Sequence, residues 1–270
     1  MAFSLLVSVW MRTEADVNET KQRLEAYVGS GARDWARQAA ADSALLTEGL
    51  VNVALAEIRG RRVSEAEENL SALIVLNERV VDEKAVVAHK LLASVDVAQR
   101  ELGARVMREF CRLDHAPSAH AASFVESLSI AAANEADLDA LLWQLSALGW
   151  QKHASARPTM LRYVNHDDDD VRETVANNLW LTADVEKDGI PSEVMDALVR
   201  FASEDPSPEV RSCVLYDVAA WPQFFRHDER WLHLCQQAVS DESEDVRRWA
   251  LRALEALLKG RAYDDVSMLK

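Results

Sequence analysis

The sequence predicts an all-α fold, an α-α superhelix of antiparallel helix pairs, on three observations. Good helix formers (Ala, Leu, Glu, Arg) are abundant, while glycine (8) and proline (6) are scarce in 270 residues. Few stretches alternate apolar and polar residues with the period of two that marks a half-buried strand. A segment in the C-terminal half repeats itself at a spacing that suits two helices and two turns. Apolar residues make up 49% of the chain, enough for a sizeable core.

Capping signals divide the chain into helices. Ala2 to Met11 is apolar, but no Lys or Arg precedes it and it is too short to span a bilayer; it reads as a first packed helix or a short strand. Thr13-Glu14-Ala15-Asp16 opens a helix that stops at Gly29-Ser30-Gly31. Asp34 to Ile58 follows, broken near Asp42-Ser43 and ending at Gly60. Ser64-Glu65-Ala66-Glu67 has the spacing of a capping box and leads into a helix with Leu70, Leu73, Ile74 and Leu76. Asp82–Leu102 and Ala104–Leu113 are expected next. Asp114-His115-Ala116-Pro117-Ser118 is the best boundary, separating an irregular helical region (1–116) from repeats (117–260) and a tail (261–270). No low-complexity linker intervenes, so one continuous packed array is expected. Ser118–Ala133, Glu135–Leu148 and Pro158–Val164 lead into the repeats.

Three stretches then align without gaps. They are anchored by Val171-Arg172, Val210-Arg211 and Val246-Arg247, with spacings of 39 and 36 residues. Each has an acidic turn, the Val-Arg pair that opens the second helix, and apolar residues after it. Asp205 and Asp241 stand five residues before the valine; in the first copy His166 takes that place and the aspartates begin at Asp167. Acidic residues and Pro208 suit a helix start, where the macrodipole and unpaired N–H groups favour them. Val171, Val175 and Leu179 share one helix face, as do Val210, Val214 and Val218, and Val246, Ala250 and Leu254. A single pair cannot bury such a stripe, and stacked neighbours complete it.

This pattern resembles the HEAT-repeat family and its bacterial relatives, most clearly over residues 157–257. The resemblance implies a HEAT-like solenoid. It also implies that Arg172, Arg211 and Arg247 pair with turn aspartates in a ladder along the stack. On function it is nearly silent.

The remaining chemistry points away from catalysis. The cysteines Cys111, Cys213 and Cys235 are isolated, without a C-x-x-C pair, and read as small buried hydrophobes in a reducing, cytoplasmic setting. Asp167 to Asp170 lacks the interspersed Gly and Asn of a calcium loop and reads as helix capping. None of the seven histidines has metal-ligand spacing, and no His-Glu dipeptide, P-loop, G-x-S-x-G or dinucleotide fingerprint occurs. No metal, cofactor or reaction is therefore expected.

Net charge is −15, of which residues 117–270 carry −12. That field repels phosphate backbones and anionic lipid, which argues against nucleic-acid and membrane partners, and it favours a basic protein partner. Acid that only keeps the array soluble is the plainer reading. On each second helix the positions two, six and nine beyond the valine point away from the buried stripe. They are Glu173, Asn177 and Trp180; Ser212, Tyr216 and Ala219; Arg248, Arg252 and Glu255. Stacked, they would line the surface that HEAT proteins usually use. Trp180 and Tyr216 either anchor a partner there or pack on a neighbouring helix. Trp221, Phe224, Phe225 and Trp231 are expected to fill the core. Trp249 is exposed, covered by the tail or buried in a dimer. The reading is a non-catalytic scaffold or inhibitor, such as an immunity protein against a basic toxin. A HEAT-like lyase or DNA glycosylase and a structural subunit are the alternatives.

Overall fold

The computed structural model describes residues 14–30, 32–60, 71–78, 81–110, 119–183 and 189–267. Fifteen α-helices and no strand occur among them. The chain divides into two compact units, Met1–Leu113 and Asp114–Lys270. The apolar N-terminal run and the Ser64 capping box lie outside the described residues.

The first unit holds α1 (Glu14–Gly29), α2 (Trp35–Ala41), α3 (Thr47–Gly60), α4 (Ser71–Asn77), α5 (Val81–Leu92) and α6 (Val97–Glu109). Leu50, Val51, Val53, Ala54 and Leu55 of α3 are buried against α1, α4 and α6. The helix expected over Asp82–Leu102 is two helices. Asp96 caps α6, its carboxylate accepting from the Gln99 N–H at 3.2 Å, and the break falls there rather than at Gly103. Gly103 has a different task. A Cβ on it would lie 2.6 Å from the Leu92 backbone nitrogen, so its bare backbone lets α6 lie close on α5.

The second unit begins with α7 (Ala121–Ala133) and α8 (Leu138–Trp150). A 3-10 turn at Ala154–Ala156 runs into α9 (Arg157–Leu161), followed by α10 (Asp169–Leu179) and a second 3-10 turn at Trp180–Thr182. Then come α11 (Ser192–Glu204), α12 (Pro208–Ala220), α13 (Pro222–Phe225), α14 (Glu229–Ala238) and α15 (Glu244–Ser267). Each short hairpin packs internally, α7 on α8, α11 on α12 and α14 on α15. The second helices also pack in sequence, α8 on α10, α10 on α12 and α12 on α15, while α11 meets α14.

The apolar stripes lie at these contacts. Val171, Val175, Leu179, Val210, Val214, Val218, Val246 and Ala250 are fully buried. Leu254 is only half-buried; Ala253 and Leu257 fill the core on the longer α15 instead. Asp168 caps α10 by accepting from the Val171 N–H at 3.1 Å, so the acidic run does begin a helix.

Candidate functional site

The repeat signature builds the platform for the site. Arg172 donates from Nε and Nη2 to both oxygens of Asp205, at 2.8 and 3.0 Å. Its Nη1 donates to the carbonyls of His166 and Asp167, at 2.8 and 2.9 Å. Arg211 repeats the arrangement one pair later, with Asp241 at 3.0 and 2.9 Å and the carbonyls of Asp205 and Pro206. Planar two-point pairing of this kind fixes geometry as well as charge. Arg247 makes the same bonds to its own turn, from Nη1 to the Asp241 and Glu242 carbonyls, both at 2.8 Å. Burial alone would raise the Asp241 carboxyl, but the Arg211 fork and the Ser243 N–H hold it below the usual range.

The ladder explains the one irregular turn. Asp205 and Asp241 each accept the N–H two residues on, from Ser207 and Ser243, both at 2.9 Å. His166 does the same through Nδ1, accepting from the Asp168 N–H at 3.1 Å. Preceding α8 has Leu141, not arginine, at the ladder position, so no guanidinium there requires a carboxylate. An imidazole suffices for the turn.

On this platform the nine residues expected to line one strip do not stay together. Glu173 on α10 is half-buried, and Asp170 one turn before it is exposed. The Glu173 carboxyl is raised by burial and then by repulsion from Asp170, Glu209 and Asp169. Asp170 is raised likewise, by burial and then by Asp168, Asp169 and Asp139. This end of the strip is an acidic patch. Asn177, Ser212 and Ala219 are half-buried between the ends.

At the other end Tyr216 is 47% exposed and meets the Trp249 ring edge-on, with centroids 4.8 Å apart. The Arg252 guanidinium lies 4.8 Å from the Trp249 centroid and that of Arg248 lies 5.7 Å away. Tyr216 and Trp249 thus form an aromatic pair across α12 and α15, with two cations on the indole. Trp249 is half-buried and belongs to this patch, a part that the helical wheel did not give it. Arg248 also pairs with Asp245, and the exposed Glu255 pairs with Lys259.

Trp180 does not line the strip but packs on neighbouring elements, the second of the two readings open for it. It is 8% exposed and points inward. It stands past the end of α10, in a 3-10 turn, where counting 100° per residue from Val171 no longer applies. Its indole Nε1 donates to Asp217 Oδ2 at 3.1 Å, and its ring packs on Trp221 and Phe224. Burial pushes the Asp217 carboxyl up to about 7, against the opposing pull of the Trp180 N–H. The loop aromatics also divide. Phe225 and Trp231 are fully buried, with ring centroids 5.3 Å apart. Trp221 is 45% exposed and is not core.

The described cysteines are not prepared for chemistry. Burial pushes the Cys235 thiol up to about 12, and it raises Cys213 strongly, with Glu173 and Asp217 adding repulsion. Cys111 lies outside the described residues. Among the described residues, no group of three or more His, Cys, Asp or Glu side chains is placed to hold a metal ion. No described helix is long and apolar enough to cross a membrane.

No protein-family model matches the chain. No curated protein is similar to it in sequence. Among solved structures the chain is similar to an engineered protein from the Northeast Structural Genomics Consortium, 16% identical, with a TM-score of 0.46. That similarity covers 90% of this chain and 73% of the engineered one.

Proposed function

We propose that the second unit is a HEAT-like solenoid that acts without catalysis, by binding another protein along the strip carried by α10, α12 and α15. The solenoid reading is supported by three turns with one hydrogen-bond pattern and by second helices that pack in sequence. The binding reading rests on one observation: a half-exposed Tyr216 set edge-on against Trp249, which Arg248 and Arg252 flank. An aromatic held at a fixed angle loses little freedom when a partner covers it, which is the property of an interface anchor.

The charge supports a basic partner. Asp170 and Glu173 repel one another and their neighbours, and a lysine or arginine from a partner would relieve that repulsion. An inhibitor of a basic toxin is one form such binding would take.

Capture from native lysate on the immobilised full chain tests this reading. A basic protein should bind the wild type, elute with salt, and be lost with Tyr216→Ala or Glu173→Lys. Both substituted side chains are partly exposed, so the fold is expected to survive. Capture that is unchanged in both variants, or confined to acidic proteins, would contradict the reading.

A further inference from the structure

We propose that two copies of this chain associate through α15, with their two α15 helices antiparallel. The face concerned is the one that each earlier second helix gives to the next pair. In α10, Ala176 and Leu179, four and seven residues beyond the ladder arginine, are fully buried. So are Leu215 and Val218 at the same places in α12. In α15 the equivalent Leu251 is 57% exposed and the equivalent Leu254 is half-buried, and Leu258, one heptad beyond Leu251, is 50% exposed.

The polar half of the contact is open as well. Arg172 and Arg211 use Nε and Nη2 to hold the aspartate of the following pair. Arg247 is fixed by the same two carbonyls, but that edge of its guanidinium has no acceptor among the described residues. Apolar surface and a placed cation edge are thus presented together.

The spacing and charges of this face fit a second copy. Arg247, Leu251, Leu254 and Leu258 fall at intervals of four, three and four, the seam of a coiled-coil pair. One flank of the seam, Ala250 and Leu257, is buried inside the unit. The other, Arg248 and Glu255, is exposed. A parallel pair would have to bring the buried flank of one copy to the exposed flank of the other. An antiparallel pair brings the two exposed flanks together. A two-fold axis between Arg252 and Ala253 then sets Leu251 against the partner's Leu254, and Leu258 along the stem of the partner's Arg247. Arg248 faces the partner's Glu255, and Glu255 faces the partner's Arg248, so the face complements itself as a two-fold interface must. The present bonds of these side chains, to Asp245 and Lys259, are exposed pairs within one helix that exchange at little cost. At 100° per residue Trp249 and Arg252 lie on the opposite side of α15, while Arg248 and Glu255 lie between the seam and the strip; sedimentation of the chain alone reads only their part in the seam.

Sedimentation velocity of the full chain, at low salt and over a range of micromolar concentrations, tests it. The wild type should form a two-chain species as concentration rises. Leu251→Glu with Leu258→Glu should leave one-chain species while the far-UV dichroism stays unchanged. Arg248→Glu alone should weaken association at least tenfold, and adding Glu255→Arg to the same chain should restore it, because both reciprocal pairs are then rebuilt. A wild type that stays single over the whole range overturns the proposal and leaves the face to a different protein. A dimer indifferent to the leucine changes overturns it too. So does a charge reversal that has no effect or that the second substitution does not rescue, a result that decides even if the leucine variant fails to fold.

Discussion

Asp217 holds a carboxyl where an uncharged group would fit better. It is buried, faces the Trp180 indole, and is pushed up to about 7. An unfolded aspartate ionises near pH ~3.9. Between about pH 4 and 7 the folded chain therefore keeps a proton that the unfolded chain has lost, and this group's share of the stability falls as pH rises through that window. Asp217→Asn keeps an acceptor for Trp180 but cannot ionise. The variant should gain on the wild type from about pH 4 to 7, by on the order of 2–4 kcal/mol at the top, read from denaturant midpoints at each pH. Parallel pH profiles would show that the carboxyl is not responsible. The ladder arginines give a second comparison. Arg172→Ala strands Asp205, which is buried, and should cost about 3–5 kcal/mol in chemical denaturation. Arg247→Ala strands no carboxylate and should cost clearly less. The ladder that the repeat resemblance implies holds for Arg172 and Arg211, whose Val-Arg and acidic turns recur at a fixed offset; Arg247, expected to pair with an aspartate as well, holds only the carbonyls of its own turn. For Trp180 helical phase could not decide between its two readings, because a residue just past a helix end is placed by its tertiary neighbours, here Asp217, Trp221 and Phe224.

Between elements, close approach matters more than propensity. A Cβ on Gly149 would lie 2.5 Å from the Asn178 Cβ and 2.7 Å from the Asn178 carbonyl oxygen, where α8 crosses α10. Alanine is the better helix former by about 1 kcal/mol, yet Gly149→Ala should destabilise by about 1–3 kcal/mol because the contact is with backbone. Thermal unfolding decides the sign, and an unchanged or raised midpoint would show that the crossing can open. Gly103 does the same for α5 and α6. In the sequence it reads as a break, since a lone glycine between helical stretches has no visible reason until the neighbouring helix is in place. The real break at Asp96 has only a short capping signal, Ser94-Val95-Asp96, inside an otherwise periodic run. The repeats were easier to find. Their stripes of Val, Leu and Ala recur with their turns, and Leu254 differs because it lies on the face that the earlier second helices give to a following pair, while Leu257 takes a core position.

Across the molecule, charge and repeat lie together: the part beyond residue 116 carries −12 of the −15 net charge and all three Val-Arg turns. Affinity for a basic partner should therefore fall steeply with salt, while the aromatic pair leaves a remainder that salt does not remove. A titration of the captured partner between low and physiological ionic strength measures that slope. That the chain is all-helical was legible here from composition and periodicity. The make-up of the strip was legible only in part, because Tyr216 lies well inside a helix whereas Trp249 owes its place to Tyr216 and two arginines on different turns. The central claim is that this strip is where the partner sits. Photo-crosslinking from the full chain tests it most directly, with the probe at Ser212, between the acidic and aromatic ends, and a control probe at Arg200, exposed on α11. A basic protein should be trapped from Ser212, lost on adding Tyr216→Ala, and absent from Arg200. Trapping from Arg200 but not from Ser212 would place the partner elsewhere and contradict the account.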